Sequence, residues 1–404
     1  MKNPVAVPET IPLSSILPTE PLLLMGAGPV PIPPAVADAN GLIINHLGQT
    51  MNVVIERVKT MAQYVFQTAS NNIFGIAGPS SAAMEMAVTN LLWEGRKILV
   101  LNIGTFSKRF GEMAEAVGAE CHYLEPEGLQ PIPADMVEEI LKREQFDVVT
   151  MVQGETSCGI HNTELPQIVK LVKAHGALAV VDAVCTLTTM PLDMDGWDID
   201  VVVTGGQKGL SSIPGVSLIA FSEDAWRQIE SRPTSCPHWC LDARRARKFW
   251  QFQQYHYTAP VPGILALHEA LRIICEETLP QRFERHEMSS LALQAGIEAM
   301  GLRLFIPKAY RLNSVVAIDI PKGIDSHDMR SYMTKTFHVE ISGAFGLNIV
   351  RIGQMGEQCR SYNLFRVLYA MGMSFKHFGV SLNISKGMGL LEENLVKDEK
   401  HFVR

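Results

Sequence analysis

Two residues set the chemistry that this sequence can perform. Asp182 ends the apolar run Val180-Val181-Asp182, and Lys208 follows the next such run after Thr204-Gly205-Gly206-Gln207. A carboxylate closing one buried strand and an amine just beyond the next suit pyridoxal 5′-phosphate chemistry. The acid keeps the pyridinium nitrogen protonated, and the amine forms the Schiff base. A buried carboxylate is costly without a cationic partner, and a protonated ring nitrogen is such a partner. Once displaced by an amino substrate, Lys208 can carry a proton between the substrate Cα and the cofactor. A plain surface lysine is the alternative; the company of Asp182, Gly205, Gly206 and Gln207 speaks against it.

Other residues gain meaning beside that pair. Gly78-Pro79-Ser80-Ser81 runs straight into a helical stretch, and a helix start offers free N–H groups and a positive dipole end to a phosphate. Ser80 and Ser81 add hydroxyls, although serine is also an ordinary helix cap. Phe106 follows Gly104-Thr105 at the end of a strand, where an aromatic ring can stack on a pyridine face or simply belong to the core. In Gln153-Gly154-Glu155-Thr156-Ser157-Cys158-Gly159, Thr156 can meet a ring hydroxyl or a substrate, or be part of a plain loop. Tyr255-His256-Tyr257-Thr258 is a patch of donors able to reach a phosphate across a subunit boundary. Arg351, inside the apolar strand Val350-Arg351-Ile352-Gly353, suits a bidentate grip on a substrate carboxylate or an internal ion pair.

The elements that must position these groups are legible as alternation. Ile98–Leu101, Val148–Val152, Ala177–Val181, Val201–Thr204 and Val216–Phe221 are short apolar runs. Helical patterns at about 107–117, 133–143 and 165–174 separate several of them. Buried strands alternating with amphipathic helices predict an α/β fold with a mostly parallel sheet. Further helices are expected near 50–67, 80–93, Gly263–Glu277, Phe283–Met300 and Tyr362–Phe375, with strands at Val315–Ile320, Ile341 and Val350–Ile352. Region 222–260 reads as irregular. The division expected is an N-terminal arm at 1–24, a large α/β domain at 25–280 and a small α+β domain at 281–404.

The 404 residues, 47% hydrophobic and 19% charged, describe an ordinary globular chain too long for one core. The net charge of −7 and the single basic cluster Arg244-Arg245-Ala246-Arg247-Lys248, a solvated helix face, give no reason to expect nucleic acid. No apolar stretch reaches the roughly 18–20 residues that span a bilayer, so no membrane association is expected. The proline-rich start does not read as a secretory signal, which leaves the cytoplasm as the expected compartment. Seven scattered cysteines fit a reducing environment. Cys236-Pro237-His238-Trp239-Cys240 lacks a fourth ligand, so no metal is expected.

Taken together, Gly154–Gly159, Val181-Asp182-Ala183-Val184, Gly206-Gln207-Lys208, Tyr255–Val261 and Arg351-Ile352-Gly353 resemble one family over about Leu22 to Leu395. It is the alanine–glyoxylate/serine–pyruvate aminotransferase family, among the class V, fold type I, pyridoxal 5′-phosphate enzymes. The resemblance implies a fold type I architecture and a homodimer with active sites at the subunit interface. It implies Lys208 as the Schiff-base lysine, Asp182 as the pyridinium partner, Phe106 as the stacking ring and Thr156 as a ring or substrate contact. Ser80, Ser81 and Gln207 would hold the phosphate, with Tyr255 and Thr258 reaching over from the other subunit. Arg351 would bind the substrate carboxylate. His46 opens the segment that lines the substrate entrance in relatives.

Two departures bear on specificity. Pro79-Ser80-Ser81 stands where relatives often have a serine-glycine-histidine turn. Leu47-Gly48-Gln49-Thr50-Met51 replaces a proline-glutamate-phenylalanine-like triplet after Asn45-His46. The ureidoglycine–glyoxylate branch is also similar, around Gln281–Phe305 and Gly353–Arg360, but carries a glutamine in place of His46 and an asparagine in place of Tyr255. Pyridoxamine–pyruvate aminotransferase shares the Ala27-Gly28-Pro29-Val30 start.

The expected function is ping-pong transfer of an amino group from alanine or serine to glyoxylate or pyruvate. A lyase or desulfurase on the same fold would need a mobile cysteine, for which Cys359 is the nearby candidate. A non-catalytic cofactor-binding protein would have little use for both Asp182 and Lys208. A nicotinamide dehydrogenase lacks its G-x-G-x-x-G signature here.

Overall fold

A computed structural model describes residues 5–396. Its centre is a seven-stranded sheet made of β1 (Ile73–Ala77), β2 (Lys97–Leu101), β3 (Glu120–Leu124), β4 (Val148–Val152), β5 (Leu178–Asp182), β6 (Val201–Gly205) and β7 (Val216–Phe221). The order across the sheet is β1-β7-β6-β5-β4-β2-β3. Every neighbouring pair is parallel except the two that β7 makes, with β6 and with β1. β1 therefore runs with the majority, and six strands end at one edge.

The middle strands are buried on both faces because helices cover both. Residues of β4, β6 and β7 are all buried, and burying each branched side chain contributes about 1.5–3 kcal/mol. The flanking helices start and stop where local chemistry directs. Leu165–His175 has a proline in its first turn, Lys173 and His175 in its last, and left-handed Gly176 as its cap. This is the expected α/β sheet.

A second apolar core unites Met25, Leu293, Ile297, Ile318, Val350 and Leu368. It lies on an antiparallel sheet of β8 (Val315–Asp319), β9 (Ser342–Gly343) and β10 (Ile349–Gly353), in the order β8-β10-β9. Leu23–Leu24 pairs with Val339–Glu340, so the chain start joins this second core. Helix Leu279–Met300 runs between the two cores, with Leu279 in the first and Leu293 in the second.

Region 222–260 is not wholly irregular. Helices Glu223–Glu230 and Ala243–Phe252 occupy nearly half of it, begun by side-chain caps in which Ser222 accepts from Ala225 N and Asp242 from Arg244 N. The strand expected at Ile341 is split into Val339–Glu340 and Ser342–Gly343, which pair with different partners.

Candidate active site

Chain segments leaving the carboxyl ends of the parallel strands meet at one rim, where open α/β sheets bind ligands. Asp182 is there by register, opposite Val152 of β4 and Val203 of β6. It is 5% exposed, and Oδ1 accepts the Val184 N–H at 2.7 Å. Among the described residues no other hydrogen bond reaches its carboxylate and no cation lies within ion-pair distance. Burial pushes the carboxyl up to about 7, with Glu155 adding to the rise and the Val184 N–H, Lys208 and Arg109 opposing it.

Lys208 lies one strand away, in the turn after β6, and its Nζ donates to the Ala27 carbonyl. Burial lowers its ammonium below the ordinary range, and Arg351 and Arg109 add to this against Cys185 and Asp182. Gly28 packs against it. A Cβ at Gly28 would come 2.5 Å from Nζ, and its φ of +104° is one that side chains avoid.

Beside the lysine, helix Ser80–Leu91 begins with no side-chain cap on its first turn. Gln207 Nε2 donates to Ser80 Oγ at 3.0 Å, while Gln207 Oε1 is buried with no partner. Gly205 lets the helix start abut β6, since a Cβ there would sit 1.8 Å from Ser80 Oγ. Arg109 Nη1 reaches Ser81 Oγ at 3.3 Å, and its guanidinium lies 4.7 Å from the Phe106 ring centroid. Phe106 is only half-buried; Phe110, one turn on, is the fully buried core residue. The neighbouring helix Thr105–Ala116 differs. Its start is taken by the Glu155 carboxylate, which accepts the Phe106 and Ser107 N–H groups at 3.1 and 2.9 Å.

The loop after β4 is a tight turn between the short paired segments Gly154–Glu155 and Ile160–His161, with Thr156 buried in it. Arg351 crosses from the small sheet to this turn. Nη1 donates to the Thr156 carbonyl at 2.6 Å, and Nε and Nη2 donate to the Gly343 carbonyl at 2.8 and 2.5 Å. The internal ion pair is not found, since no carboxylate among the described residues lies within ion-pair distance of Arg351. Three of five guanidinium protons are used on carbonyls, and among the described residues no carboxylate pairs with the charge directly.

His46, Tyr255 and Thr258 form a separate group. His46 Nδ1 accepts the Ala259 N–H at 3.3 Å, and its ring meets Tyr255 edge-on at 6.0 Å. Tyr255 and Thr258 are exposed, and no hydrogen bond joins either side chain to the Asp182–Lys208 rim of the same chain. Cys359 is buried at the end of a short 3-10 turn, Gly356–Cys359, and burial raises its thiol. Arg109 was invisible from the sequence, because nothing distinguishes it from other helix-surface arginines until Ser81 and Phe106 are seen beside it.

Comparison with known proteins bears on the family and the fold. The chain matches the family Aminotransferase class-V over residues 36–363. Alanine–glyoxylate aminotransferase of Callithrix jacchus is 32% identical over 382 residues, covering 92% of each chain. The crystal structure of ureidoglycine–glyoxylate aminotransferase from Bacillus subtilis superposes with a TM-score of 0.91 at 29% identity, covering 94% of this chain and 99% of that one. Pyridoxamine–pyruvate aminotransferase from Mesorhizobium loti gives 0.89 at 26% identity, over 94% and 98%. The fold is therefore that of the fold type I transferases, and the chain belongs to the class-V aminotransferases.

Proposed function

We propose that this aminotransferase uses pyridoxal 5′-phosphate to move an amino group from alanine or serine to glyoxylate or pyruvate, in the cytoplasm and as a homodimer. The observation that carries the cofactor is Asp182, a buried carboxylate with no cation among the described residues within ion-pair distance, one strand away from Lys208, whose ammonium burial disfavours. The residues fit the group. The uncapped helix start at Ser80 and Ser81, with the Gln207 amide half unsatisfied and Arg109 alongside, suits a phosphate. Asp182 suits a ring N–H, and Phe106 offers a partly open ring.

When bound, the cofactor supplies an aldehyde that takes up the amino group and a ring that withdraws electrons. Lys208 Nζ, held at the Ala27 carbonyl and with its ammonium disfavoured by burial, would be the group that moves the proton at the substrate Cα. The Asp182 carboxylate keeps the ring nitrogen protonated. Arg351 has donors left for the substrate carboxylate, and with only that grip it favours short side chains.

The homodimer rests on exposed apolar surface. Val5 and Val7 on the arm, Ile43, and Trp239, Phe252 and Tyr255 are all at least half exposed, which suits burial against a second copy. Tyr255 and Thr258 would then face the partner's phosphate cradle. Relatives are named for alanine, ureidoglycine and pyridoxamine as donors. His46 and Tyr255, in place of the glutamine and asparagine of the ureidoglycine branch, favour the alanine reading. Mixing purified protein with alanine or serine and glyoxylate or pyruvate tests it. Glycine or alanine formed at the acceptor supports the assignment; transfer only from ureidoglycine or pyridoxamine moves it to those donors.

A further inference from the structure

One face of helix Leu279–Met300 presents Arg282, Arg285, His286 and Ser289, at the spacing that aligns side chains along a helix. Those four side chains hold two separate catalytic segments. Towards the lysine turn, Arg282 Nη2 donates to the Gly209 carbonyl at 2.8 Å and to Ser211 Oγ at 3.2 Å. Towards the arginine strand, His286 Nε2 accepts the Gly356 N–H at 3.0 Å, and Arg285 Nη1 donates to the Gly356 carbonyl at 2.8 Å. Ser289 Oγ donates to Gln354 Oε1 at 2.8 Å. The two segments also touch directly, since a Cβ on Gly356 would lie 1.9 Å from Ser211 Oγ.

The stripe is itself locked. Glu277 binds Arg282 Nη1 at 2.7 Å and Arg285 Nε at 2.5 Å, and His286 Nδ1 donates to the Arg282 carbonyl at 2.7 Å. Burial, reinforced by Arg285 and Arg282, keeps His286 neutral, which its acceptor role requires. Such a satisfied polar cluster fixes one geometry where an apolar contact would tolerate sliding.

We propose that Arg282, Arg285, His286 and Ser289 are positioning residues that set the separation between the Lys208 amine and the Arg351 guanidinium. The inference rests on Arg351 binding the substrate carboxylate. An α-amino acid must reach both groups at once, and a shift of about 1 Å between them is enough to cost roughly 10²-fold in rate. Ligands that engage only one group are indifferent to the separation.

The test compares three probes on the holoenzyme carrying His286→Asn or, as a milder change that leaves the ion pairs intact, Ser289→Ala. Alanine engages both groups, propionate engages only the arginine, and methoxyamine attacks only the cofactor carbonyl. The expected result is a loss of at least about tenfold in kcat/KM for alanine, with propionate inhibition and methoxyamine reactivity held within about twofold. All three probes unchanged, or all three falling together, overturns the proposal. Arg351→Ala is the control. If it leaves propionate inhibition intact, the reading of Arg351 fails instead, and the two failures are distinguishable.

Discussion

Arg351 Nη1 donates to the Thr156 carbonyl at 2.6 Å, joining the small sheet to the turn beyond β4. The same guanidinium holds the Gly343 carbonyl, so its plane is fixed before any substrate arrives. Lysine cannot reproduce that fork. Arg351→Lys is expected to raise the KM for alanine by roughly tenfold to a hundredfold, the worth of one charged hydrogen bond. Steady-state kinetics with a fixed acceptor measures it.

Asp182→Asn keeps the shape of the β5 terminus and removes the negative charge. The half-reaction with alanine is expected to slow on the order of 10²–10³-fold, as when one preorganised electrostatic partner is lost. Rapid-mixing absorbance reads that rate.

Asp182 also gives the protein without cofactor a signature in pH. Its folded value of about 7 lies above the ordinary 3.8, so the folded state retains a proton that the unfolded chain releases. The associated stability is present below about pH 4 and is lost as pH rises through about 7. Urea unfolding at stepped pH is expected to show this decline, and Asp182→Asn to flatten it.

Glu277 works in the opposite sense. Burial would raise its carboxyl, but Arg285 and Arg282 outweigh that and hold it at about 2. Its stabilisation is present above the ordinary 4.5 and is lost as pH falls towards 2. Glu277→Gln strands Arg282, which is 2% exposed, without its carboxylate. The expected cost is about 3–5 kcal/mol at neutral pH, read from the urea midpoint.

Gly28→Ala places a methyl group on Lys208 and forces an alanine to a φ of +104°. Backbone strain of about 1–3 kcal/mol is expected. The displaced lysine should slow proton transfer, seen as a larger deuterium isotope effect with Cα-deuterated alanine.

The parts legible in the sequence were those where burial writes a pattern. β4, β5, β6 and β7 are mostly apolar because helices cover both faces, and Asp182 and Lys208 stand out at their ends for that reason. β3 at Glu120–Leu124 escaped notice because it is an edge strand, exposed or half-buried along its length, with Glu120, His122 and Tyr123 in place of aliphatic residues. β1 was hidden by Gly75, whose missing side chain makes room for Trp250. Helices Glu223–Glu230 and Ala243–Phe252 were obscured by their arginines and aromatic residues, although Arg247 stacks over Trp226 and ties the two together. Arg109 and His286 act through partners distant in sequence, and no local spacing announces such contacts.

The most direct test of the account is the visible absorbance of the protein after incubation with pyridoxal 5′-phosphate, compared with Lys208→Ala, before and after alanine is added. The account predicts a band at the blue edge of the visible that alanine converts to a near-ultraviolet one, and no such conversion in Lys208→Ala. An absent band, or identical behaviour in the two proteins, would contradict the assignment of Asp182 and Lys208.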